Sequence, residues 1–186
     1  MRMFMSRFHY EPCDPPVPPI TVGDNEALAI TARMQALFAA DQAARQSTPI
    51  DWELIAREDS EHRHETLNYL SSGQISAPES LYYAAFIFQH GNCPEHYDLA
   101  HHLAELAIQR GHTEARWISA ASLDRALMSR GLPQKYGTQY VSHDGGPLEL
   151  YQYDPTTTDE ERQHYDVPPL QYHLALQKAK SVTRKN

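Results

Sequence analysis

The sequence predicts a mainly α fold: a single compact multi-helix domain of about five main helices, with a small C-terminal β-hairpin and short closing helices. Three observations carry that expectation. Apolar residues recur at three- and four-residue intervals up to Arg130, and glycines and prolines break this pattern at helix-length intervals. After Pro133 the period changes to the alternation of short strands.

Residues 1–20 hold five of the 13 prolines and read as a proline-rich arm lying on the domain or on a partner. The domain itself spans 21–175, and residues 176–186 form a flexible basic tail. Thr21 and Asp24 have capping-box spacing ahead of the stripe Ile30, Met34, Leu37, Phe38, which predicts a first helix to about Gln46. Asp51 caps a second helix with a crowded polar surface that includes Asp59 and Arg63, and Gly73 stops it. Ser76-Ala77-Pro78-Glu79 is a capping box for a third helix, apolar on nearly every side and therefore central. Pro94 opens helix four and Gly111 closes it; helix five runs from Thr113 to Arg130, with Trp117, Ala120, Ala121, Leu127 and Met128 facing inward. Tight connections at Gly91 and Gly111 predict that helices three to five stack side by side. A hairpin over 135–153 turns at His143-Asp144-Gly145-Gly146, and 159–164 and 169–180 are short closing helices.

Composition excludes several classes of function. A chain of 186 residues can bury roughly two thirds of its unfolded surface without a disulfide or metal staple. Cys13 and Cys93 are too few for a secreted disulfide framework, so both are expected as thiols in a reducing cytoplasm. The longest apolar run, Leu81 to Phe88, is too short to span a bilayer, and the first residues form no signal peptide; no membrane role is expected. A formal charge of −8 opposes binding to phosphate polymers, so no nucleic acid is expected as a partner.

What remains is a set of polar residues in apolar surroundings. Asp124 falls on the inward face of helix five, where an aspartate must be hydrogen-bonded or ion-paired, and Arg125 sits at the edge of that face. His90 closes helix three, and His96 shares a face with Leu99, Leu103 and Ala107. Asp98/His102 and His101/Glu105 are four apart on the opposite, wet side. His90-x-x-Cys93-x-x-His96, with Asp124 as a fourth donor, has the ligand chemistry of zinc or another transition ion, although the spacing alone is unspecific. No phosphate loop, zinc-protease helix or nucleophile elbow is present. The first reading therefore needs no cofactor.

The run Asp124-Arg125 followed by Gly131-Leu132-Pro133-Gln134-Lys135-Tyr136-Gly137-Thr138-Gln139 resembles the signature D-R, a gap, G-x-P-Q-x-Y-G-T-Q of an uncharacterised bacterial family of small helical proteins. The resemblance extends to Asp41-Gln42 with Arg45, to Gln89-His90, and to Asp159, Arg162 and Pro168-Pro169-Leu170, across about residues 30–172. It implies the helical fold and no particular activity. The connection Gly91 to His96 and its histidine-rich helix four depart from the family pattern. Tyr97 to Ala121 also resembles one helical pair of a Sel1-type or tetratricopeptide-type solenoid, without a second copy at fixed spacing.

Two classes of function fit these residues. In the first, the protein binds a small polar or anionic molecule and uses histidine acid–base chemistry: His90 exchanges a proton, Asp124 orients it, Tyr136 is a further proton donor, and Arg125, Gln134, Gln139 and His96 hold the ligand. In the second, the same residues stabilise a non-catalytic interaction or regulatory module that meets a protein partner or a second copy. A further alternative is a transition-metal enzyme using His90, Cys93 and His96.

Overall fold

The computed structural model describes residues 12–143 and 146–175. Residues 1–11 of the proline-rich arm, Asp144 and Gly145 of the hairpin turn, and the basic tail from 176 lie outside the described residues. The chain forms helices α1 (Leu28–Gln46), α2 (Trp52–Ser71), α3 (Pro78–Gln89) and α4 (Pro94–Gln109), a 3-10 turn (Thr113–Ala115) leading into α5 (Arg116–Ser129), strands β1 (Tyr140–Ser142) and β2 (Leu148–Leu150), and α6 (Asp159–His164). Residues 170–175 add a last helical turn. No helix among the described residues is long and apolar enough to cross a membrane.

Helix α3 is central, packing against α1, α2, α4 and α5. Its fully buried Leu81, Ala84, Ala85 and Phe88 meet Met34 and Leu37 of α1, Leu70 of α2, Leu103 and Ala107 of α4, and Ile118 of α5 in one continuous apolar cluster. The arm joins it through Val17 and Ile20. A second, smaller cluster of Ala120, Tyr136 and Val167 attaches the C-terminal region to α5.

Two helix starts differ from the sequence expectation for one reason. Neither α1 nor α3 has a local side-chain cap. Instead, one Glu26 oxygen accepts from the Ser76 and Ala77 amides (2.7 Å each), and the other accepts from the Ser80 and Thr31 hydroxyls. An ionised carboxylate at the positive end of a helix is a stronger acceptor than the local serine hydroxyl, and it ties α1 to α3 at once. Asp51 caps α2 as expected, accepting from the Leu54 amide.

Helix α5 also departs from expectation. Trp117 is 42% exposed, not inward, and the buried positions are Ile118, Ser119, Ala120, Ala121, Ser122, Asp124, Ala126 and Ser129. Small residues on several sides let α4 and the C-terminal region approach closely, so the large indole is left on the rim. His101 and Glu105 are likewise not on the wet side. The Ser119 hydroxyl donates to Glu105 (2.5 Å), and His101 Nδ1–H donates to the Ser119 carbonyl (3.0 Å).

Strands β1 and β2 pair antiparallel, with Tyr140 opposite Leu150 and Ser142 opposite Leu148. The loop leading into them is organised by Asp124, which is fully buried. Its carboxylate accepts from the backbone amides of Lys135, Tyr136, Gly137 and Thr138 at 2.7 to 2.9 Å, and from the Thr138 hydroxyl at 2.8 Å. Successive amides can converge on one anion because Gly137 takes φ +93°, a conformation that side chains with a Cβ rarely adopt. Gln134 completes the loop: its amide nitrogen donates to the Gln139 and Tyr151 carbonyls, and its side-chain oxygen accepts from the Gln139 amide. Arg162, 1% exposed, closes the far side by donating to the Tyr136 and Thr157 carbonyls.

Replacing Asp124 by Asn puts an NH2 group against amides that need an acceptor. We expect Asp124→Asn to lower the unfolding free energy by about 3 kcal/mol in urea titrations. A loss under about 1 kcal/mol would mean that the loop is not held by this carboxylate.

Candidate functional site

The buried stripes of α1 and α2 turn polar where the two helices approach one end of the bundle. On α1 the stripe Met34, Leu37 continues into Asp41 and Arg45; on α2 the stripe Leu70, Leu67 runs back through Arg63 to Asp59. The C-terminus of α3, with Gln89 and His90, and the middle of α5, with Arg125, reach the same end.

At its centre is Asp41, 2% exposed. Its carboxylate accepts from Arg45 (2.9 Å), from the Gln42 amide (2.7 Å) and from His90 Nδ1 (2.9 and 3.1 Å to its two oxygens). Burial pushes the Asp41 carboxyl up, but the His90 hydrogen bond and the charges of His90 and Arg45 outweigh it and hold the pKa below the ordinary value. An ionised carboxylate can only accept, so Nδ1 of His90 carries a proton whether or not the ring is charged, and Nε2 is the ring atom left to exchange one. No described residue bonds Nε2. Arg45 reaches on to Asp59 at 2.6 Å, extending the chain of charges across to α2.

Two further guanidinium groups lie close by without an ion pair among the described residues. Arg63, 4% exposed, donates to the Asp14 carbonyl and the His90 carbonyl, both at 3.0 Å. Arg125 donates to the Gln89 carbonyl (2.7 Å), the Gln89 side chain (3.1 Å) and the Gln139 side chain (3.2 Å), and lies 5.9 Å from the centre of the Tyr97 ring. Burial lowers the pKa of both, only partly opposed for Arg63 by Asp59 and Asp14. Neutral carbonyls satisfy their N–H groups without giving either an ion pair.

The open side of this network is a cavity of about 640 Å³ lined by Pro12, Asp14, Ala56, Asp59, Ser60, Arg63, His90, Gly91 and Asn92. The arm forms one wall. Asp14 accepts from the Ser60 hydroxyl (2.6 Å), and its amide donates to the Asn92 side chain (3.2 Å). That Ser60 bond is the main reason its carboxyl titrates below the ordinary value.

Beside the cavity the arm is fastened covalently. Cys13 and Cys93 form a disulfide across 80 residues of sequence and are not the free thiols expected from composition. The expectation weighed the number of cysteines, whereas the docked arm brings their Cα atoms to 5.2 Å, within bonding reach. Next to them His96 is fully buried on the apolar face predicted for it. Its Nε2–H donates to the Pro15 carbonyl (2.7 Å), and its Nδ1 accepts a long bond from the Asn92 amide (3.3 Å). Burial lowers its pKa, the Pro15 bond opposing. Gly91 must be glycine here, because a Cβ would stand 2.3 Å from the His96 Cβ.

The sequence-derived site is therefore divided. His90 and Arg125 reach the same end of the bundle, but Asp41, not Asp124, holds the His90 ring. Asp124 is spent on the backbone of 135–138, Gln134 on the hairpin, and Gln139 on Ala121, Thr138 and Arg125. Tyr136 packs in the second cluster against Tyr165, with its pKa raised mainly by burial. The proposed ligand set His90, Cys93, His96 and Asp124 does not assemble: His90 is bonded to Asp41 and Asp124 to its loop. The clustered metal-type donors are Cys13, Cys93 and His96. Sequence reasoning missed Asp59 and Arg63, which it placed on a solvated face. Their spacing from Leu67 and Leu70 was the available signal.

Comparison with protein-family models, with curated proteins and with solved structures finds no match.

The histidine shifts set the sign of a pH dependence. The folded pKa values of His96 and His173 lie below the ordinary value near 6.5, both mainly through burial. Their contribution to stability is complete above pH ~6.5 and is lost as pH falls through that value toward the folded pKa. The unfolding free energy from urea titrations should drop between pH 7 and 5, by at most about 1.4 kcal/mol per pH unit for each histidine, and His173→Gln should flatten the slope. An unchanged slope in that variant would contradict the burial-driven shift.

Proposed function

We propose that this protein binds a small anionic molecule at the polar end of the helix bundle and acts on it by general acid–base chemistry at His90. The observation that carries this reading is His90 on the cavity wall, held from behind by buried Asp41. Asp41 fixes the ring and the Nδ1 proton, which leaves Nε2 to take a proton from, or return one to, a guest. The side chain is 18% exposed, enough for contact without free hydration. A volume of about 640 Å³ suits a metabolite-sized molecule.

Two guanidinium groups without an ion pair support an anion. Arg45 is committed to Asp41 and Asp59, but Arg63 on the cavity wall and Arg125 behind Gln89 have no carboxylate partner within ion-pair distance among the described residues. A carboxylate or phosphate that displaces the influence of Asp14 and Asp59 at the wall would give Arg63 that ion pair. Of the positions that carry the family resemblance, Asp41, Arg45 and His90 form one hydrogen-bonded group and Gln89, Arg125 and Gln139 another, adjacent through the Gln89–His90 peptide bond, which fits a shared site. The rival reading, a helical interaction module, draws on Trp52, 65% exposed at the start of α2.

The test uses inorganic phosphate and a panel of small carboxylates and phosphate monoesters. At least one should raise the melting temperature and move the His90 ring resonances in NMR spectra, and Arg63→Gln should abolish both effects. With a turned-over compound from the panel, His90→Gln should keep its melting temperature within a few degrees and lose roughly 10²-fold or more in rate. A panel that leaves the His90 resonances unmoved, or a His90→Gln variant of full activity, would rule the reading out.

A further inference from the structure

A second constellation lies outside the proposed acid–base site. Both cysteine sulfurs and a ring nitrogen of His96 lie within 4.8 Å of one another. Cys93 and His96 are 1% and 0% exposed and sit on the connection into α4 and its first turn, while Cys13 comes from the arm. The His96 ring is already in the state a metal ligand needs: the Pro15 carbonyl holds the proton on Nε2, and the lone pair on Nδ1 has only the long Asn92 contact. Glu95 stands at the edge of this trio, next to Cys13. Its carboxylate lies 3.0 Å from Cys13 Sγ, a contact that is no hydrogen bond in the disulfide, because a disulfide sulfur has no proton to give. Glu95 is exposed, which leaves a side open for an ion to enter.

We propose that, once the Cys13–Cys93 bond is reduced, Cys13, Cys93 and His96 bind a thiophilic divalent ion such as zinc, with solvent as the fourth ligand, so that the arm is fastened either by the disulfide or by the metal. Two sulfurs and one imidazole, with a water in the fourth position, match tetrahedral zinc chemistry. With Zn–S bonds of about 2.3 Å the sulfurs must stand roughly 3.8 Å apart, so each moves by about 1 Å, within the reach of side-chain rotation. The chemistry balances. A dithiol reductant supplies two electrons and two protons, the S–S bond breaks into two thiols, and the dithiol ends as its own disulfide; the incoming ion then displaces the two thiol protons to solvent. Pro12 and Asp14 flank Cys13 and wall the His90 cavity, so either fastening keeps that wall in place.

The experiment uses the full chain. Protein is reduced with a phosphine, which ends as its oxide with oxygen from water, and is then freed of reductant without air. Zinc chloride is added, the protein is desalted, and zinc and free thiols are counted; cobalt(II) in place of zinc reports thiolate ligation by a near-ultraviolet charge-transfer band. Reduced protein should retain one zinc per chain, and oxidised protein and the Cys93→Ser variant at least about tenfold less. Cys13→Ser, on the arm and outside the helical bundle, should likewise retain at least about tenfold less and give no one-to-one cobalt complex with the two-thiolate band. Reduced protein that retains no zinc, or equal retention by Cys13→Ser, overturns the proposal. Loss of anion binding at His90 with zinc retention intact would count against the acid–base reading alone.

Discussion

A carboxylate with almost no access to water must be compensated in place, and Asp41 is compensated by groups from two helices. Arg45 and Gln42 come from its own helix and His90 from the end of α3. Arg45 continues to Asp59 on α2. The closeness of α1, α2 and α3 at this end of the bundle therefore rests on matching charge, where elsewhere it rests on apolar contact. Breaking one member strands the others, since an unpaired buried charge costs several kcal/mol, about 3 to 5. That mutual dependence is what holds an imidazole at the wall of a cavity in a fixed orientation.

The contrast with Asp124 separates structure from chemistry. Both aspartates are buried in helices and both are satisfied, yet by different partners. Asp124 is met by four backbone amides and one hydroxyl, groups that do not titrate near neutral pH and that leave nothing facing solvent. Asp41 is met by an imidazole whose second nitrogen has no partner among the described residues. The first arrangement fixes a loop. The second is the one that the proposed function uses to pass a proton. Arg125 links the two regions, bonding to Gln139 at the edge of the Asp124 loop and to Gln89 beside His90.

The arm gives the cavity its remaining wall. Its residues 12–15 attach at several points: the Cys93 bond, the Arg63 guanidinium on the Asp14 carbonyl, the Ser60 hydroxyl on the Asp14 side chain, and the His96 ring on the Pro15 carbonyl. Each contact joins residues at least 46 positions apart. Proline favours this role, because an extended chain already short of N–H donors loses little by lying across other elements.

Local patterns determined most of the fold. Apolar periodicity, the Asp51 cap, the Gly73, Gly111 and Gly131 stops and Pro94 at a helix start act within a few residues, so helices α1 to α5, the hairpin and the inward face of His96 were legible from the chain alone. Tertiary structure decided which buried polar groups meet. A period places Asp124 and Asp41 inside without saying whether an amide, a guanidinium or an imidazole will face them, and Arg63 reads as surface until a carbonyl from the arm arrives to satisfy it. Hydrogen bonding and ion pairing depend on separations of a few ångströms between distant residues, and only the packed chain sets those separations.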